Sequence, residues 1–265
     1  MTGMTEIEGA GDRLVGSDRV LSVLMELASH PAGASLDEMV RFTGNPKSTV
    51  HRALASLRRA GLASQDGRGH YILGDEFLRL AFAHHEARPE HVRVRPLLER
   101  LAARFGETAH FAVMDGTEVV YRAKVEPSVG AVRLTSTIGG RNPVHSTGVG
   151  KALLAARVRT ERDVVSWIGD RVLEARTPNT AVTATDLHLR LDEARRNGFA
   201  VDDQENEMGI NCVAFPVYLS SPTEPSGAVS VSALAYRTPL PALLESVDEI
   251  RTIIAETTGI RERTA

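Results

Sequence analysis

From Asn45 to Leu62 (NPKSTVHRALASLRRAGL) the apolar residues Val50, Ala53, Leu54 and Leu57 recur at the helical period. This leaves Ser48, His51, Arg52, Ala55 and Arg59 on the opposite face. The pattern predicts a helix buried on one side, with Asn45 as its N-cap and Pro46 at its first position. Just upstream, Ser35 to Glu38 (SLDE) matches a capping box, and Leu36, Met39 and Val40 form a short apolar stripe. Gly44 suits the tight turn that follows. Further back, Ser17 is placed to cap a longer helix carrying Val20, Leu24, Leu27 and Ala28. After Gly61, itself placed like a C′ glycine, Leu62 to Leu73 reads as a β-hairpin with Asp66-Gly67 and Gly69 at the bend and Arg68 at the tip. Three helices and a hairpin in this order predict a winged helix-turn-helix over residues 17–74, after a disordered tail over 1–16.

Asp75 to Arg88 keeps helical spacing through Phe77, Leu80 and Ala81, with Pro89 as a break or start, and predicts a linker helix within 75–90. The second domain, 91–265, opens with an amphipathic helix over Val92–Phe105. A hairpin of Thr108–Met114 and Glu118–Val125 follows, then a third strand over Val129–Leu134. Helices are expected at Gly150–Val158, Glu161–Trp167 and Thr185–Asn197, the last ended by Gly198. Strands are expected at Phe199–Asp202, Cys212–Tyr218 and Gly227–Leu234, and a helix from Leu240 to Thr257. Strands arriving largely as hairpins predict an antiparallel sheet flanked by helices, so the chain is of the α+β class.

Charge sharpens the first domain. The whole chain has a formal charge of −3, yet from Arg41 to His70 the bases Arg41, Lys47, Arg52, Arg58, Arg59 and Arg68 face the single acid Asp66. Lys47, Ser48 and Thr49 occupy the first helical turn, where free amides and the helix dipole favour phosphate. Double-stranded DNA is the partner this distribution fits. Ser48, His51 and Arg52 are placed to read the major groove, while Lys47, Thr49, Arg59 and Arg68 hold phosphates or the minor groove. A winged helix can also serve as a protein-docking module, and the local excess of base argues against that use. One cysteine excludes an internal disulfide framework and fits a reducing compartment. With no apolar run of membrane-spanning length and no signal-like opening, a cytoplasmic protein without membrane contact is expected.

In the second domain three stretches carry more polar groups than a core needs. Asn142 to Ala155 (NPVHSTGVGKALLA) runs a glycine-containing loop into a helix. Its GVGK is not a phosphate loop, because His145 stands where glycine is required and Ala152 where Ser or Thr is required. Val201 to Cys212 (VDDQENEMGINC) is an acidic loop between strands, in which Asp203, Glu205 and Glu207 read as solvated. Ser230 and Ser232 alternate on one strand face, opposite Val229 and Val231. His145, Cys212 and Asp202 are also the residue types of a base, nucleophile and orienter, but no nucleophile motif accompanies them, and an enzyme would leave the first domain unexplained. The spacings of His110, His145, Cys212 and the acidic loop do not decide a metal site, and no cofactor or metal is expected.

Taken together, NPKSTVHRALASL, GLASQDGRGHYILGDEFLRLA, HSTGVGKALLA and VDDQENEMGINCVAFPV resemble the IclR family of bacterial transcriptional regulators, from about Ser17 to the C-terminal helix. The resemblance implies a regulator whose GAF-like domain binds a small organic effector, often a carboxylic, hydroxy or aromatic acid. It also implies dimers or dimers of dimers on palindromic operators. Effector contacts implied by the family pattern are Gly148, Val149, Asp202, Cys212, Ser230 and Ser232. Asn142 stands where an apolar pocket wall is common, which points to a more hydrophilic ligand, and Phe215 where smaller residues are common, which bears on pocket size.

Overall fold

The computed structural model describes residues 16–86, 89–127 and 134–258, and the chain divides into two compact units at residue 87. The first comprises α1 (Gly16–Ala28), α2 (Leu36–Thr43), α3 (Lys47–Arg59), β1 (Ala63–Gln65), β2 (Tyr71–Leu73) and α4 (Asp75–Glu86). Val23, Leu27, Met39, Val50, Ala53, Leu54, Leu57, Ala63 and Tyr71 form its core, so the predicted inner face of α3 is buried residue for residue. The expected capping box is present, with the Ser35 amide donating to Glu38 Oε2 (2.8 Å) and the Glu38 amide to Ser35 Oγ (3.3 Å). Gly44 then stops α2 in the left-handed region (φ 64°). At the end of α3, Gly61 (φ 72°) donates to Arg58 O and Leu62 to Leu57 O (3.0 and 2.9 Å), a Schellman arrangement.

Two helix starts differ from expectation. α3 begins at Lys47, because Pro46 is still extended (ψ 140°) and takes the cap position itself, while the Asn45 side chain is spent on Thr43 O (3.3 Å). α1 includes Gly16, so Ser17 lies within its first turn, and Val23 fills the core where Ala28 was expected to help. The wing forms as predicted. β1 and β2 pair antiparallel, and Asp66 Oδ1 accepts from the amides of Arg68 (2.9 Å) and His70 (2.8 Å), which leaves Arg68 exposed at the tip.

The second unit comprises α5 (Pro89–Phe105), β3 (Thr108–Asp115), β4 (Glu118–Val125), β5 (Arg141–Pro143), α6 (Gly148–Arg157), α7 (Glu161–Ile168), α8 (Ala184–Asn197), β6 (Ala200–Asp203), β7 (Ile210–Val217), β8 (Gly227–Leu234), α9 (Leu240–Glu245) and α10 (Val247–Thr258). Six strands form one sheet in the order β5-β4-β3-β8-β7-β6, every neighbour antiparallel. Side-chain alternation sends Phe111, Val213, Phe215, Val229 and Val231 to one face, under Leu97, Leu98 and Leu101 of α5 and Ile250 and Ile253 of α10. Ala112, Val119, Tyr121, Cys212, Ala214 and Ala228 face the other side, under Val149, Leu153 and Leu154 of α6 and Leu187 and Leu191 of α8. Each such leucine or isoleucine contributes about 1.5–3 kcal/mol by leaving water.

The expected helix Leu240–Thr257 is broken at Ser246, whose amide bonds back to Leu243 O and Leu244 O and whose hydroxyl takes Ala242 O (3.1 Å). β5 lies in a stretch read as loop. The expected strand Val129–Leu134 lies outside the described residues apart from Leu134.

Candidate functional site

In the first unit, α3 presents Lys47, Ser48, His51, Arg52 and Arg59 to solvent, while Thr49 is half-buried. With Leu36 of α2, the first four line a shallow open concavity. No side chain caps α3. Three of the expected phosphate contacts already have protein partners: Lys47 pairs with Asp37 (2.6 Å), Arg59 donates to Ser56 Oγ (2.9 Å) and Arg68 pairs with Asp66 (3.4 Å). These are exposed contacts of small worth, which a phosphate can displace.

In the second unit, Asn142, Gly148, Val149, Asp202, Cys212, Ser230 and Ser232 all line one cavity of about 40 Å³ between α6 and the sheet. Strand register explains the meeting: Cys212 pairs across with both Asp202 and Ser232, and His110 pairs with Ser230. α6 starts against this surface, capped by Thr147, which accepts from the Gly150 amide (3.1 Å). Gly148 permits the approach, since a Cβ there would lie 3.0 Å from Cys212 Sγ and 3.3 Å from Ala214 Cβ. His110, Tyr121, Ser136, Thr147, Asn206 and Glu207 also line the cavity.

Asp202 anchors a tight turn. Its Oδ1 accepts from the Glu205 amide (2.7 Å) and the Asn206 amide (3.3 Å), and Gln204 sits in the left-handed region (φ 56°). The turn's carbonyls are held from outside: Thr177 donates to Gln204 O (2.7 Å), Thr180 to Glu205 O (2.6 Å) and Arg176 to Asn206 O (3.0 Å). Burial pushes the Asp202 carboxyl up to about 7, Lys151 and the turn's amides opposing that rise. Burial also pushes the Cys212 thiol and the Tyr121 phenol up to about 12, and, with Lys124 nearby, draws His110 down to about 3. At neutral pH the site therefore offers a neutral imidazole, a thiol and hydroxyls. His110 Nε2 lies 2.8 Å from Ser136 Oγ, and its Nδ1 lies 3.5 and 3.4 Å from the hydroxyls of Ser230 and Ser232.

Several expectations are corrected here. Glu205 is not solvated; it is 1% exposed and paired with buried Lys151, the lysine of GVGK, and with Arg190 (2.6 Å). That pair fastens the turn to α6 and accounts for a lysine that holds no phosphate. His145 does not line the cavity, its Nε2 lying 3.0 Å from Glu174 O, so it does not serve as base to Cys212, whose thiol burial keeps protonated. Phe215 packs on the opposite sheet face against Phe199 and does not narrow the cavity. Tyr121 escaped notice because a β-bulge breaks the register between β3 and β4. Ala112 pairs with Tyr121 while His110 pairs with Lys124, so residues three apart share one face.

A family model described as the bacterial transcriptional regulator IclR C-terminal matches residues 91–254, and one described as the IclR helix-turn-helix domain matches residues 17–67. The acetate operon repressor of Salmonella typhimurium is 31% identical over 218 residues, covering 81% of this chain and 78% of that protein. The crystal structure of Thermotoga maritima IclR aligns with a TM-score of 0.76 at 25% identity, covering 92% of this chain and 97% of that one. An IclR homologue from Microbacterium hydrocarbonoxydans, complexed with 4-hydroxybenzoate, aligns with a TM-score of 0.72 over 91% of this chain and 95% of that one. Its identity is 22%, so this likeness speaks to the fold.

Proposed function

Because the chain belongs to the IclR family of bacterial transcriptional regulators, and is a DNA-binding regulator and not an enzyme, we propose that its operator affinity is set by a small organic acid bound in the GAF-like second unit. The enclosure of Asn142, Gly148, Val149, Asp202, Cys212, Ser230 and Ser232 around one cavity supports this reading. The first-turn amides of α6 suit a carboxylate. Asp202 accepts hydrogen bonds, so a hydroxyl on the same ligand would satisfy it, and the Microbacterium homologue's 4-hydroxybenzoate is a ligand of that class. A cavity of about 40 Å³ has room for a few waters, so an acid enters by parting its lining.

On DNA, Ser48, His51 and Arg52 read bases in the major groove while Lys47, Thr49, Arg59 and Arg68 position the backbone. The functional form is a dimer or dimer of dimers on a palindromic operator in the cytoplasm. Exposed apolar pairs one helical turn apart, Leu21 and Met25 on α1 and Leu78 and Phe82 on α4, support self-association. Effector binding shifts operator affinity by a coupling of about 1–3 kcal/mol. A thermal-shift screen of organic acids tests the site. Acids that raise the melting temperature of the wild type should have no effect on a Ser230→Ala, Ser232→Ala double variant that still binds operator, and an unchanged shift would remove these serines from the site.

A further inference from the structure

The cavity is lined by acids and, among the described residues, by no cation. Among its described lining residues the charged side chains are Asp202 and Glu207, and neither Lys nor Arg lines it. The nearby cations are engaged elsewhere. Lys151 of α6 is buried against Glu205, which Arg190 of α8 also contacts. Lys124 of β4 donates to the carbonyls of Leu134 (2.9 Å) and Ser136 (2.7 Å) and pairs with Glu126 (2.9 Å), and Arg176 holds Asn206 O. From the sheet, His110 of β3, Tyr121 of β4 and Cys212 of β7 face the site as neutral groups. Lys151 acts on Asp202 from behind the turn without entering the cavity, and the positive group that faces the cavity directly is the N-terminus of α6, worth roughly half a charge, which favours one carboxylate but not two. An acid effector beside Asp202 makes two.

Like charges enclosed together do not both stay ionised, and such pairs share a proton. Resting on the organic-acid reading above, we propose that an acid effector enters this cavity together with one proton from solvent, held between its carboxyl group and the Asp202 carboxyl, so that the regulator answers to acid and pH jointly. Burial of Asp202 already raises its proton affinity before the acid arrives. The transfer makes and breaks O–H bonds alone, the buffer giving up the proton. The carboxylate that results faces the α6 amides, and the remaining carboxylic acid donates the hydrogen bond that two carboxylates could not make.

The full-length protein can be titrated calorimetrically with lactate and mandelate, and with lactamide and mandelamide, in buffers of different ionisation enthalpy. At about pH 8 each acid bound should take up about one proton, and its affinity should fall tenfold per pH unit above neutrality. The amides should take up none. In Asp202→Asn the uptake and the pH dependence of acid binding should both vanish. Acid binding without proton uptake overturns the proposal; so does equal uptake in wild type and variant. Should neither acid bind, an acid that raises the melting temperature in the screen above replaces them, and if none does the organic-acid reading fails and this proposal with it; carbon NMR of labelled aspartate carboxyls in the unliganded protein separately tests whether Asp202 can hold the proton. A resonance absent from Asp202→Asn that titrates near neutrality sustains the proton-holding carboxyl that the proposal needs, and one titrating in the ordinary aspartate range overturns the proposal.

Discussion

Burial drives both Asp202 and His110 toward their neutral forms, and the effects on stability have opposite signs. Asp202 ionises at about 7 in the fold against 3.8 ordinarily, so between those values the native protein keeps a proton that the unfolded chain releases. Stability therefore falls as pH rises through that window, and the penalty is complete above about 7. His110 ionises at about 3 against 6.5, so its contribution is complete above 6.5 and is lost as pH falls toward 3. From about 4 to 6.5 the two slopes oppose each other. Asp202→Asn keeps an acceptor for the Glu205 and Asn206 amides but removes the falling slope. Its melting temperature should gain on the wild type from about pH 4 to about pH 7 and then run parallel, with a ceiling of about 4 kcal/mol at about 1.4 kcal/mol per unit. Parallel unfolding profiles throughout would show that Asp202 does not titrate there. Asp202 was legible in the sequence because the family pattern marks it. Glu205 was not, since nothing in VDDQENEM tells the buried acid from the solvated ones until Lys151 is seen to meet it.

Single elements divide by how local their causes are. The buried face of α3 follows from period alone, and Val50, Ala53, Leu54 and Leu57 are where it puts them. The start of α3 and the break at Ser246 depend on which carbonyl a nearby polar side chain takes, a choice made between elements and invisible to periodicity. β5 has three residues, too few for alternation to register, and Tyr121 reaches the cavity through a bulge that shifts the face count by one. The division of labour along α3 is testable. Arg52→Ala should weaken operator binding by about 1–3 kcal/mol while leaving binding to random DNA nearly unchanged, in gel shifts at fixed salt. Leu54→Ala should cost about 2–5 kcal/mol of folding stability and reduce binding to both DNAs together. Equal losses on the two DNAs for a folded Arg52→Ala protein would assign Arg52 to phosphate.

At the scale of the whole molecule, the first unit is a small DNA reader and the second a larger sheet domain that holds the cavity, and the proposed self-association would bring two DNA readers to one operator. Phe82 is 60% exposed and Leu78 46%, one turn apart on α4, while Met25 is 70% exposed and Leu21 58% on α1. A surface of this kind costs solubility unless a second copy covers it. Doubling the chain doubles the basic surface presented to one operator and makes the second half-site an intramolecular event. Leu78→Glu with Phe82→Glu should therefore shift the protein to monomer in sedimentation. The effect on the folding of each chain should stay within about 0.5 kcal/mol per site, because neither side chain contributes to the core. The slope of operator affinity against salt should fall toward half its wild-type value as phosphate contacts halve. A variant that stays dimeric with an unchanged slope would move the interface off α4. A variant that becomes monomeric yet keeps the full slope would mean that one winged helix alone makes the phosphate contacts.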